Sequence, residues 1–204
     1  MSPRRFTTLK ATLFVLCLGP LASLVYGLLA DTLGANPIEA LTRGLGDWTL
    51  RLLLITLAVT PLRRLSGLNW LLRLRRMLGL FTFFYAALHL TSYVWLDQFF
   101  DWAAIWKDIV KRPFITVGFT AFLLLIPLAA TSNNAMIKRL GGRLWQALHR
   151  TVYAIAVFAV LHYWWMVKKD ITQPAIYAAV LALLLGLRLY WALQRRGGAV
   201  ASPG

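Results

Sequence analysis

The chain is poor in cysteine and in acidic residues: Cys17 is the only cysteine, and seven Asp and Glu stand against 22 Lys and Arg. One cysteine excludes an intrachain disulfide and any zinc or iron–sulfur site built on cysteines. Inside an apolar run, Cys17 reads as a small hydrophobe. Charged residues make up only 14% of the chain, against roughly 25% in soluble domains. No polar stretch is long enough to be a domain, and there is no internal repeat or low-complexity tract. No segment alternates with period two, which argues against a β-barrel. What the chain has instead is apolar bulk. Hydrophobic residues make up 59% of it, against roughly 45–50% in soluble proteins, and that excess requires a solvent other than water.

The apolar residues gather in six segments, near 9–30, 48–62, 77–96, 114–130, 148–167 and 174–193. About 20 helical residues cross a ~30 Å hydrocarbon core. The expected fold is therefore an all-α membrane protein, a bundle of about six transmembrane helices forming one domain over residues 1–204. Arg4, Arg5 and Lys10 ahead of an apolar run resemble a signal peptide. The run from Ala11 to Ala30 is long enough to span, however, and no small-x-small cleavage site closes it, so it reads as the first span.

The charges give an orientation. With the N-terminus cytoplasmic, the cytoplasmic segments hold Arg4, Arg5, Lys10, Arg63, Arg64, Arg73, Arg75, Arg76, Lys138, Arg139, Arg143, Arg150, Arg188, Arg195 and Arg196. The acids Asp31, Glu39, Asp47, Asp97, Asp101, Asp108 and Asp170 all fall in or beside the opposite loops. The positive-inside rule then places both termini in the cytoplasm. It also disposes of a nucleic-acid partner, because the basic charge is spread over short juxtamembrane segments rather than gathered on one soluble face. In the outer stretch 98–112, Phe99, Trp102, Trp106, Ile109 and Val110 recur at helical spacing, which predicts an amphipathic interfacial helix.

The three histidines, His89, His149 and His162, lie within or at the ends of spans. Ionisable groups in a membrane are costly and mark function, although a lone histidine can simply hydrogen-bond a neighbouring helix. Imidazole suits zinc, copper, iron and nickel. Away from their edges the spans offer no carboxylate, so haem iron, a large apolar ligand that takes histidine axially, fits best. The third and fifth spans run in the same direction. His89 and His162 each sit on the order of 20 Å along their spans, so they can face each other across one haem. His149 lies at the cytoplasmic end of the fifth span. At about 100° per residue it points roughly 140° away from His162, which leaves it for a second haem, a quinone or a flavin.

Other residues carry two readings each. Arg51 is a helical partner of Asp47 or an anion contact such as a haem propionate. Arg75 and Arg76 are positive-inside anchors or phosphate contacts, and Arg150 adjoins His149. Met166 shares a helical face with His162 and reads as packing. A small haem-free transporter would be expected to carry acidic relay residues or paired helix breaks in its spans, and neither is present.

The segments Arg75-Arg76-Met77-Leu78-Gly79-Leu80, His89-Leu90-Thr91-Ser92-Tyr93, Lys111-Arg112-Pro113, Trp145-Gln146-Ala147-Leu148-His149-Arg150-Thr151-Val152-Tyr153 and His162-Tyr163 together resemble the MsrQ (YedZ) family. These are haem-binding membrane subunits of the ferric-reductase-like transmembrane group, and the likeness covers nearly the whole chain. It implies a b-type cytochrome of the bacterial inner membrane with His89 and His162 as axial ligands. It further implies flavin mononucleotide as a second candidate cofactor and electrons drawn from the quinone pool. The implied partner is MsrP, a periplasmic molybdopterin methionine sulfoxide reductase that repairs oxidised envelope proteins. Unlike the oxidases of the group, the chain has one histidine rather than two on the third span, which argues against a two-haem stack. A stand-alone ferric or quinone reductase would share the haem but not the partner.

Overall fold

A computed structural model describes residues 2–200 and the side chains of residues 2–195. Arg196, counted above among the basic residues, lies outside the described side chains. The described residues form helices α1 (Pro3–Leu29), α2 (Pro37–Ser66), α3 (Arg75–Ser92), α4 (Trp102–Lys111), α5 (Pro113–Ala130), α6 (Asn134–Arg150), α7 (Val152–Met166) and α8 (Thr172–Val200). A 3₁₀ turn (Asn69–Arg73) precedes α3 and a π turn (Tyr93–Asp97) extends it. Among the described residues there is no strand. Among the described residues six helical segments are long and apolar enough to cross a membrane, with α6 and α7 counted as one. The expected all-α bundle of six spans is what the chain forms, and it is a multi-pass membrane protein.

Local signals explain where the helices differ from the apolar runs. The second span begins at Pro37, well before residue 48, because Asn36-Pro37-Ile38-Glu39 makes a helix start. Asn36 Oδ1 accepts from the Glu39 N–H at 3.2 Å, and its Nδ2 donates to Glu39 Oε2 at 3.0 Å. Glu39, Arg43 and Asp47 lower the hydropathy of these turns and hide them from an apolar count, yet they are helical. The segment 134–147, expected as a loop, is the amphipathic helix α6. Asn133 caps it, and it bends at Gly141, whose φ of 74° needs a residue without a Cβ. The interfacial helix expected over 98–112 begins only at Trp102, because Phe99 and Phe100 both take left-handed backbone conformations in the turn before it.

α2 is the central helix, packed most extensively on α3, while α5 packs on α7. Its Leu50, Leu53, Leu54 and Leu57 meet Ala86 of α3, Ala121 and Leu125 of α5, and Ile155 and Ala156 of α7 in one core. Side chains from neighbouring helices repair two backbone interruptions. Pro61 has no N–H for the Leu57 carbonyl four residues earlier, and Arg188 of α8 donates to that carbonyl instead. In α1, beside Pro20, the fully buried Tyr85 hydroxyl accepts from the Leu21 N–H at 3.0 Å and donates to the Cys17 carbonyl at 2.7 Å. That inserts α3 into the hydrogen-bond ladder of α1.

Candidate functional site

Two helix pairs each bring one histidine to the same place. His89 on α3 donates through Nδ1 to the Thr42 carbonyl of α2 at 2.8 Å. His162 on α7 donates through Nδ1 to the Phe114 carbonyl of α5 at 2.7 Å. A carbonyl can only accept, so both rings carry their proton on Nδ1 and leave the Nε2 lone pair free. That is the arrangement of a metal-ligating histidine, whose other nitrogen is tied to a backbone carbonyl. The ring centres are 6.2 Å apart and the planes cross at 73°.

The fit to a haem can be tested on this spacing. Two collinear imidazole–metal bonds of about 2.0 Å, with about 1.1 Å from each Nε2 to its ring centre, place the ring centres roughly 6.2 Å apart. Among the described residues no three His, Cys, Asp or Glu side chains converge to hold a metal ion. A metal between these two rings would need further donors than the His, Cys, Asp and Glu side chains supply, and a porphyrin provides four. Space lies on both sides of the pair. A cavity of about 790 Å³ is lined by His89, Tyr93, Trp102, Trp106, Phe114 and Met166, among others. A smaller one beside His162 includes Gly46, Gly118, Leu50, Ala121 and Met166. Arg43 lines both. The residues present thus fit a bis-histidine haem.

Small residues make room for the rings. A Cβ at Gly118 would lie 2.6 Å from His162 Nδ1, and one at Gly46 would lie 3.1 Å from His89 Cε1. The Thr42 hydroxyl, in the turn that holds His89, is buried without a hydrogen-bond partner. Above His89, Tyr93 donates to Asp108 at 3.0 Å and Arg112 pairs with Asp108 at 3.1 Å, tying α4 over the larger cavity.

His149 stands apart, in a cavity of about 330 Å³ lined by Arg75, Arg76, Ser132 and Trp145 among others. Trp145 stacks on its ring with centres 4.0 Å apart. Thr131 Oγ1 gives its one hydrogen to the Pro127 carbonyl at 2.6 Å, so it accepts from His149 Nε2 at 2.9 Å. His149 therefore has the opposite tautomer to the other two, with Nδ1 free. No second histidine faces it.

The arginines divide. Arg75 and Arg76 line the His149 cavity, and Arg76 donates to Asn134 at 2.7 Å. Arg150 is exposed and lines neither cavity. Arg51 donates to the Tyr177 hydroxyl at 2.9 Å, lies over Trp48, and stands 4.0 Å from Asp47. It lines neither histidine cavity. Sequence reasoning missed Arg43, Thr42, Gly46 and Gly118. The helix start at Asn36-Pro37 is the signal that could have put the first, second and third of these on the inner turns of α2.

A membrane bundle that presents paired, carbonyl-anchored histidines from parallel helices defines the class, and the family described as ferric reductase like transmembrane component matches residues 45–160. Several relatives bear the name protein-methionine-sulfoxide reductase heme-binding subunit MsrQ. That of Herminiimonas arsenicoxydans is 59% identical over 96% of this chain and 90% of its own length. That of Azospira oryzae is 58% identical over 96% and 84%, and that of Ralstonia nicotianae 54% identical over 98% and 94%. The chain belongs to the MsrQ family.

Proposed function

We propose that this chain is a b-type cytochrome subunit of the bacterial inner membrane, a single transmembrane domain with both termini cytoplasmic. It passes electrons from the quinone pool to a periplasmic MsrP-type methionine sulfoxide reductase. The observation that carries the reading is the pair His89 and His162, with both Nε2 atoms free and the ring centres 6.2 Å apart. Haem bound between them supplies a one-electron carrier held away from water.

The chain's own residues do the rest. The carbonyls of Thr42 and Phe114 fix both rings in the ligating tautomer and raise their basicity. Arg43, which lines the space on both sides and is ion-paired with Glu39, and the unpartnered Thr42 hydroxyl are the groups on offer to propionates, a role the sequence suggested for Arg51. Leu50, Leu53 and Ala121 keep the surroundings apolar. At the other end, the free Nδ1 of His149 is a hydrogen-bond acceptor for a quinol hydroxyl, and Trp145, stacked on the His149 ring, holds it in place. Flavin mononucleotide is the alternative donor for that cavity, with its phosphate toward Arg75 and Arg76.

The basic charge at the His149 end and the acids at the His89 end support the orientation, with the haem toward the periplasmic face. Membranes containing the chain and a quinol should reduce added MsrP-type protein, and flavin-stripped membranes should do so as well if quinol is the direct donor. Equal reduction by membranes lacking the chain would sink the proposal.

A further inference from the structure

A fourth space lies on the outer surface of the bundle, between α1, the 3₁₀ turn and α3. It is a groove of about 640 Å³, walled by Phe14 and Leu18 of α1 and by Leu80 and Phe84 of α3, with Lys10, Arg73 and Arg76 at one end. All four wall side chains are more than a third exposed. The groove runs from Lys10 to Leu18 along α1, about 12 Å at helical rise. Its cations are unusual in two ways. Among the described residues none of the three forms an ion pair with a carboxylate, and no acidic residue lines the groove. Arg73 is also held in place without being neutralised, since its guanidinium lies 3.7 Å over the Phe6 ring.

Three cations ending an apolar trough that faces the bilayer call for a ligand that is anionic at its head and apolar along its length. We propose that this groove is a binding site for an anionic phospholipid. Its phosphate is held by Lys10 and Arg73, beside Arg76, which also donates to Asn134 and borders the His149 cavity, and an acyl chain lies along Phe14, Leu18, Leu80 and Phe84. A quinone tail would fill the trough but bring no charge for the cations. A second copy of the chain, docked by twofold symmetry, would bring its own cations against them. The site is separate from the histidine pair and does not depend on the haem reading.

The test uses the full haem-loaded chain in detergent, titrated with phosphatidylglycerol or with phosphatidylcholine of the same acyl chains, and bound lipid counted by native mass spectrometry. A basic residue beside anionic lipid is worth about a fivefold change in affinity. Lys10→Gln, at an exposed position of α1, should therefore weaken phosphatidylglycerol binding about fivefold. Lys10→Gln with Arg73→Gln should weaken it on the order of 25-fold, with the haem spectrum unchanged. Phosphatidylcholine should bind the native chain no better than phosphatidylglycerol binds the double variant. Equal binding of the two lipids by the native chain would overturn the proposal, and so would unaltered phosphatidylglycerol affinity in Lys10→Gln.

Discussion

Replacing Gly118 by alanine tests the histidine pair without touching a ligand. The added Cβ would meet the His162 ring at 2.6 Å from Nδ1, 2.8 Å from Cε1 and 3.0 Å from Cγ. The ring cannot swing aside freely, because Nδ1 is held by the carbonyl of Phe114, one turn before Gly118 on α5. Ordinary contact requires the ring to retreat by about 0.8 Å, and overpacking of this kind costs about 1–3 kcal/mol. Alanine recovers up to about 1 kcal/mol of helix propensity, so the net loss falls on the ring's position. On the proposed reading, a His162 ring displaced by that much should lower haem occupancy severalfold and shift the midpoint potential of what remains. Gly46→Ala, where the nearest His89 atom is 3.1 Å away, should do the same more weakly. Gly186→Ala meets nothing within 4 Å and should leave haem unchanged. Haem per chain by pyridine haemochrome, with a redox titration of the bound fraction, reads all three. Native occupancy and potential in Gly118→Ala would refute the reasoning.

Other perturbations separate the roles of neighbouring groups. Thr131→Val removes the acceptor for His149 Nε2–H and should slow reduction by quinol while leaving the dithionite-reduced spectrum intact; stopped-flow reduction checks this. Arg43→Gln should move the haem midpoint negative by on the order of tens of millivolts, since a lost cation destabilises the added electron. Arg51→Gln should move it less; a redox titration of both variants compares them. Arg188→Met leaves the Leu57 carbonyl unsatisfied beside Pro61 and should cost about 1–3 kcal/mol, seen as a lower temperature for loss of the haem absorption band.

Much of this was legible in the sequence, for identifiable reasons. Six apolar runs predict six spans of alternating direction, and that alternation alone put His89 and His162 at one depth, where the structure brings them together. Side-chain pairing was not legible where it depends on distant helices. Arg51 reads as a partner of Asp47 four residues away, but its closest hydrogen bond is to Tyr177 on α8. Arg188 reads as a terminal charge, yet it serves the carbonyl that Pro61 leaves open. Apolar counting missed the first turns of α2 because Glu39, Arg43 and Asp47 dilute them, and those turns hold the Thr42 carbonyl and Gly46. Gly118 sits in an unbroken apolar run, where nothing local shows that an imidazole presses on it.

The central claim is that one iron is shared by two histidines on different helices. Electron paramagnetic resonance of the ferric protein tests it most directly. Two imidazoles crossed at 73° should give a strongly anisotropic low-spin signal, and His89→Ala and His162→Ala should each abolish it. A high-spin signal in the native protein, or a low-spin signal that survives either substitution, would contradict the shared iron.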